Sequence, residues 1–180
     1  MMTGSVSRIG DMVISFLTKL GMYLSGIAIF LMALFITFEV VARRFLGFST
    51  LIADEYSGYL LVFITFFGLA YTMKTKGFLQ VEFVIKRLSG RSYQTLHFIL
   101  LTLALFYSLV MQYELVIFTW STYVNDIVSV SISQTPLYIP QLCMPIGMII
   151  FILELGEQWC RAAFALFPAV NSDSSERDNK

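Results

Sequence analysis

Charge is what this sequence has least of. Asp, Glu, Lys and Arg make up 13% of its 180 residues, against about a quarter in ordinary soluble domains. With 57% hydrophobic residues, a chain of this size has more apolar surface than one soluble core can hide. That excludes a soluble enzyme and a disordered polypeptide. The formal net charge is +0, so no basic excess draws it to nucleic acid, which is not an expected partner. There is one histidine, His97, and a haem anchor needs paired axial ligands. Metal-ligand clusters, glycine-rich phosphate loops and nucleophile constellations are all missing from the pattern. No cofactor, no metal and no catalytic residue is therefore expected, and the chain is not read as an enzyme. The two cysteines, Cys143 and Cys160, fall on one predicted helix roughly 25 Å apart by the helical rise, too far to bridge to each other.

What is present is length of apolar sequence. About 20 apolar residues span a bilayer as a helix, and four stretches qualify, near 20–41, 56–73, 96–120 and 137–155, the last able to run on to Phe167. Lipid offers no partner for backbone N–H and C=O groups, so helices are expected. A β-barrel would show alternating segments of about ten residues instead. The fold class is thus an all-α integral membrane protein with four transmembrane helices, occupying 20–167. Residues 1–19 form an amphipathic N-terminal segment, and a polar tail from 168 to 180 is expected to be disordered. The first span is too long and too far from the N-terminus for a cleaved signal peptide.

Basic residues orient the spans. Arg8, Lys19, Lys74, Lys76, Lys86, Arg87, Arg91, Arg161, Arg177 and Lys180 fall on one side; only Arg43 and Arg44 fall on the other. Both termini and the middle loop are therefore expected in the cytoplasm. Trp120, Tyr123 and Tyr138 then mark the outer interface, and Tyr71, Tyr93 and Trp159 the inner one. Two cytoplasmic segments are amphipathic: Val6–Leu20, and the stripe Val81, Val84, Ile85 and Leu88. Each reads either as a helix lying in the headgroup region or as an extension of the adjacent span.

The few ionisable residues near the spans are the candidate structural or partner-contact positions. Glu39 and Arg43 are four apart on one helix face and can pair, as can Glu157 and Arg161. Arg44 can meet Glu114 or Glu55 across helices, or these side chains can snorkel to water. Glu114 lies roughly 9 Å below Trp120 by the helical rise. A packed polar contact suits it better than a transport role. Gly21-x-x-x-Ser25 and Gly68-Leu69-Ala70 are candidate points of close helix approach. All four spans have an apolar midplane, whereas ion-coupled carriers place ionisable groups or broken helices there. An accessory or scaffold subunit is the better reading. The alternative is a self-contained four-span exporter using Glu39 or Glu114 for proton coupling.

The order of elements resembles a known family. The stretch Glu39-Val40-Val41-Ala42-Arg43-Arg44-Phe45, then Ser49-Thr50, then Ala53-Asp54-Glu55-Tyr56 is similar to the small membrane subunit (DctQ type) of tripartite ATP-independent periplasmic, or TRAP, transporters. Arg44-Phe45 matches its Arg-aromatic pair after span one, and Glu55 its acidic residue opening span two. Gly68-Leu69-Ala70 matches the end of span two. Lys74–Gly77 and Val81-Glu82 follow the family's basic turn and Val-Asp-like pair. Pro136, Pro140 and Pro145-Ile146-Gly147 fit the prolines before and within span four. The sequence departs from the family at Leu51 or Ile52, where a Trp is usual, and at Phe78-Leu79-Gln80-Val81-Glu82. The resemblance implies a subunit of the bacterial inner membrane that packs against a large membrane subunit. It also implies transient contact with a periplasmic binding protein that captures an organic acid. Sodium-driven transport by the large subunit is implied as well, with no substrate held by the small one.

Overall fold

A computed structural model of the chain describes the backbone of residues 3–45, 52–75, 91–131 and 133–177, and the side chains of 11–45, 52–75, 94–131 and 133–164. Five helices make up most of it: α1 (Thr3–Phe45), α2 (Ile52–Lys74), α3 (Arg91–Val124), the single turn α4 (Tyr138–Gln141) and α5 (Cys143–Arg177). Four helical stretches are long and apolar enough to cross a membrane: Asp11–Phe45, Ile52–Lys74, Gln94–Val124 and Tyr138–Phe164. They correspond to the four expected spans, and the described residues contain no strand, only an isolated bridge between Val128 and Pro136.

The N-terminal segment takes the second of its two expected forms, an extension of span one and not a separate helix. α1 runs unbroken for 43 residues, about 65 Å, because no proline or unfavourable turn interrupts it between the amphipathic part and the span. At the other end the helical backbone of α5 runs on past Pro168 to Arg177. Span four runs from Tyr138 to Phe164. Pro145 has no N–H to return to Gln141, so one backbone bond is missing near Leu142, which itself keeps helical φ and ψ of −56° and −26°. The amphipathic stripe at 81–88 and the motif residues 49–50 and 76–82 lie outside the described residues.

The helices form a layer in the order α1, α2, α5, α3, with α1 also reaching α5. Between the helices, small or hydroxylated residues (Ala28, Ala42, Ala53, Ala70, Thr18, Ser25, Ser108, Thr119 and Thr122) are buried together with Leu101, Leu115, Met148, Ile150 and Leu155. The large side chains, such as Phe30, Phe38, Phe106 and Tyr107, point outward. Large apolar side chains on the outside are expected where lipid already solvates apolar groups and helices associate through close packing. The buried hydroxyls are satisfied locally: Ser108, Thr119 and Thr122 each donate to the carbonyl four residues back, at 2.7, 2.8 and 3.0 Å.

Candidate functional site

α2 is gripped by two neighbouring helices at one depth. Gly21 of α1 lies so close that an added Cβ would meet the Phe67 carbonyl oxygen at 2.8 Å. Gly147 of α5 does the same to Phe66, at 2.7 Å from its Cβ and 2.8 Å from its carbonyl carbon. One turn from Gly21, Ser25 donates to the carbonyl oxygen of Ile64 at 3.4 Å. Glycine serves here for approach rather than for backbone freedom. Gly68, also a candidate, is not a contact of this kind; its nearest neighbour would be the Ser25 hydroxyl at 3.7 Å. Pro145, the other candidate of that motif, is buried two residues before Gly147.

The end that carries the chain termini is tied by polar side chains. Glu154 of α5 is buried, and its Oε2 accepts from the hydroxyl of the fully buried Thr18 at 3.2 Å. Thr18 shares that proton with the Ile14 carbonyl at 2.8 Å. Lys74, in the last turn of α2, brings its Nζ to 4.0 Å from the same carboxylate oxygen. One acidic group thereby joins α1, α2 and α5. A turn further on, Gln158 donates to the Met73 carbonyl at 3.3 Å, one of the carbonyls that the end of α2 leaves without a helical partner. Arg161 pairs with Glu157 on its own helix, as the i,i+4 spacing predicts, and reaches Asp11 of α1 at 3.5 Å. On the α3 side the Trp159 indole donates to Thr102 at 2.9 Å.

The opposite end is organised by Glu55. It stands in the first turn of α2, where an acidic side chain complements the helix dipole, as Arg43 and Arg44 do in the last turn of α1. Its carboxylate accepts from Tyr59 at 2.5 Å, from Ser133 at 2.5 Å, and from Ser131. Ser129 and Thr135 extend the set through Ser131 and Ser133, and Tyr56 meets Thr135 at 3.5 Å. The loop between α3 and α4 is held as a narrow hairpin, with Ser129 N–H donating to the Thr135 carbonyl at 2.9 Å. Asp126 and Gln134 adopt positive φ of 47° and 45° at its bends, a conformation open to short polar residues. Residues alternate faces in such a hairpin. Ser129, Ser131, Ser133 and Thr135 therefore share the Glu55 side, and Val130 is left fully exposed.

Glu39 is buried and pairs with Arg43 at 3.3 Å, as their spacing predicts. With Arg44, Ala53 and Asp54 they line a cleft of about 350 Å³ between α1 and α2. Among the described residues no ion pair joins Arg44 to Glu55 or Glu114; Glu55 is satisfied by hydroxyls. Glu114 is exposed on α3. Sequence reasoning missed the joint role of Thr18, Lys74 and Glu154, and the hydroxyl cage around Glu55. The first had no signal, because its members are up to 136 residues apart. The second had one: a hydroxyl residue at every other position from 129 to 135.

Four helices long and apolar enough to cross a membrane, with many large apolar side chains facing outward and polar ties at both ends, define a multi-pass helical membrane protein. The family model for tripartite ATP-independent periplasmic transporters, DctQ component, matches residues 32–165, about three quarters of the chain. The chain belongs to that family: it is the small permease component of a TRAP transporter, which works with a large TRAP membrane subunit and a periplasmic binding protein. A search of curated proteins returns no match.

Proposed function

We propose that this subunit is the stationary brace of a secondary transporter in a bacterial inner membrane. The large subunit carries an organic acid inward, driven by a sodium gradient, after a periplasmic binding protein has delivered it in transient contact. Both termini lie in the cytoplasm, a reading supported by the ten-to-two division of basic residues about the spans. The observation that carries the proposal is the grip on α2. Backbone-level contact at Phe66 and Phe67 from two neighbouring helices, with polar ties at each end, makes the helices one body that resists tilting. An elevator-type carrier needs such a body, because its moving domain crosses the bilayer against a fixed one. Of the acidic residues inside the spans, Glu39 and Glu154 are both engaged in contacts within the bundle, which suits bracing better than coupling.

The test is reconstitution. The purified chain alone in liposomes should be inert, and affinity purification in mild detergent should bring down a much larger multi-span subunit. Proton-coupled solute flux from the lone chain would establish the exporter reading in its place.

A further inference from the structure

We infer that the outward face of α3, centred on Glu114, is the surface on which the large membrane subunit seats. A helix of that subunit would present a basic side chain at the depth of Glu114. The inference rests on reading this chain as a lateral brace. Of the acidic residues within the spans, Glu39 and Glu154 are turned into the bundle, 4% and 3% exposed. Glu114 is turned out, and among the described residues it has no hydrogen-bond or ion-pair partner. It lies six residues before Trp120, roughly 9 Å below that residue by the helical rise. A charge facing hydrocarbon at that depth costs several kcal/mol unless something pairs with it.

The layer order leaves α3 at one edge, packed on α5. Its other side presents Phe106, Val110, Tyr113 and Ile117, all exposed, on the same flank of the helix as Glu114 by the 3.6-residue period. The opposite edge, α1, is different: between Lys19 and Glu39 it carries no charged residue, and its outward Ile27, Phe30 and Leu34 are what lipid accepts. Within a membrane, polar links and close packing distinguish a helix partner from lipid. That difference assigns the protein partner to α3 and the lipid to α1.

A photo-crosslinking amino acid placed at Val110 or, separately, at Phe30 tests this in membranes containing both membrane subunits. Val110 should crosslink to the large subunit and Phe30 should not. Glu114→Gln and Glu114→Lys should lower recovery of the large subunit on affinity purification, by roughly 3- to 30-fold for the neutral variant on the scale of intramembrane polar links and further for the lysine. Crosslinking from Phe30 alone or from both faces equally would overturn the assignment. So would capture of a second copy of this chain at Val110, or unchanged recovery for Glu114→Lys. Failure of the unmodified chain to recover any large subunit would instead remove the bracing role itself, and this inference with it.

Discussion

Gly147→Ala is the sharpest probe of how the bundle is held. The added methyl carbon would stand 2.7 Å from the Phe66 Cβ, 2.8 Å from its carbonyl carbon and 2.9 Å from its oxygen. Contacts between such atoms normally sit near 3.5–4.0 Å, so α5 and α2 would have to part by about 1 Å. Two of the three atoms are backbone, and no rotamer change relieves them. Overpacking of this kind costs about 1–3 kcal/mol. Taking about 2 kcal/mol from the middle of that range and the roughly 1 kcal/mol that alanine's better helix propensity returns leaves a net loss of about 1 kcal/mol. For a chain of this length that lowers the melting temperature by about 2–4 °C. Gly68→Ala is the matched control. It sits on α2 with nothing nearer than the Ser25 hydroxyl at 3.7 Å, so propensity acts alone and stability should hold or rise slightly. Thermal unfolding of detergent-solubilised protein, followed by the loss of its monodisperse gel-filtration peak, reads both. If Gly147→Ala proves as stable as the parent while Gly68→Ala falls, the close approach is not where the helices are clamped.

Glu154→Ala strips Thr18 and Lys74 of their shared acceptor and should cost about 1–3 kcal/mol. Arg161→Ala breaks pairs at a side chain 66% exposed and should cost less than about 1 kcal/mol. Equal melting temperatures for the two would contradict the central place given to Glu154. Glu55→Ala removes the acceptor of three hydroxyl groups, so amide exchange across 125–136 should accelerate markedly while the four spans keep their protection. Protection of the loop that is unchanged would show that its own backbone bonds suffice.

The candidate residues were legible to different degrees. Glu39–Arg43 and Glu157–Arg161 followed from helical spacing, because an i,i+4 pair depends only on the helix that carries it. Span four was legible as one apolar run beginning near Leu137, and its helix indeed runs from Tyr138 to Phe164; Pro145 costs it one backbone bond without ending it. The N-terminal amphipathic pattern did not reveal whether a bend follows it. Periodicity describes a face and is silent on continuity. Gly21 and Gly68 look alike as small residues in apolar helices, yet only Gly21 touches a backbone, because the rotation of each helix about its axis decides which small residue faces a neighbour.

By itself the sequence determined the medium and the architecture. Thirteen per cent charge and four long apolar runs leave helices in a bilayer as the only way to satisfy the backbone, and the order of its motifs placed the chain in its family. Tertiary structure alone decided which distant groups share a proton or a charge. Thr18, Lys74 and Glu154 meet because α1, α2 and α5 are adjacent in the layer; Ser131 and Ser133 reach Glu55 because the hairpin folds over the start of α2. Glu114 stays outside because α3 closes one edge of that layer. Helix order and rotation come from packing among many side chains at once, and no local pattern encodes them.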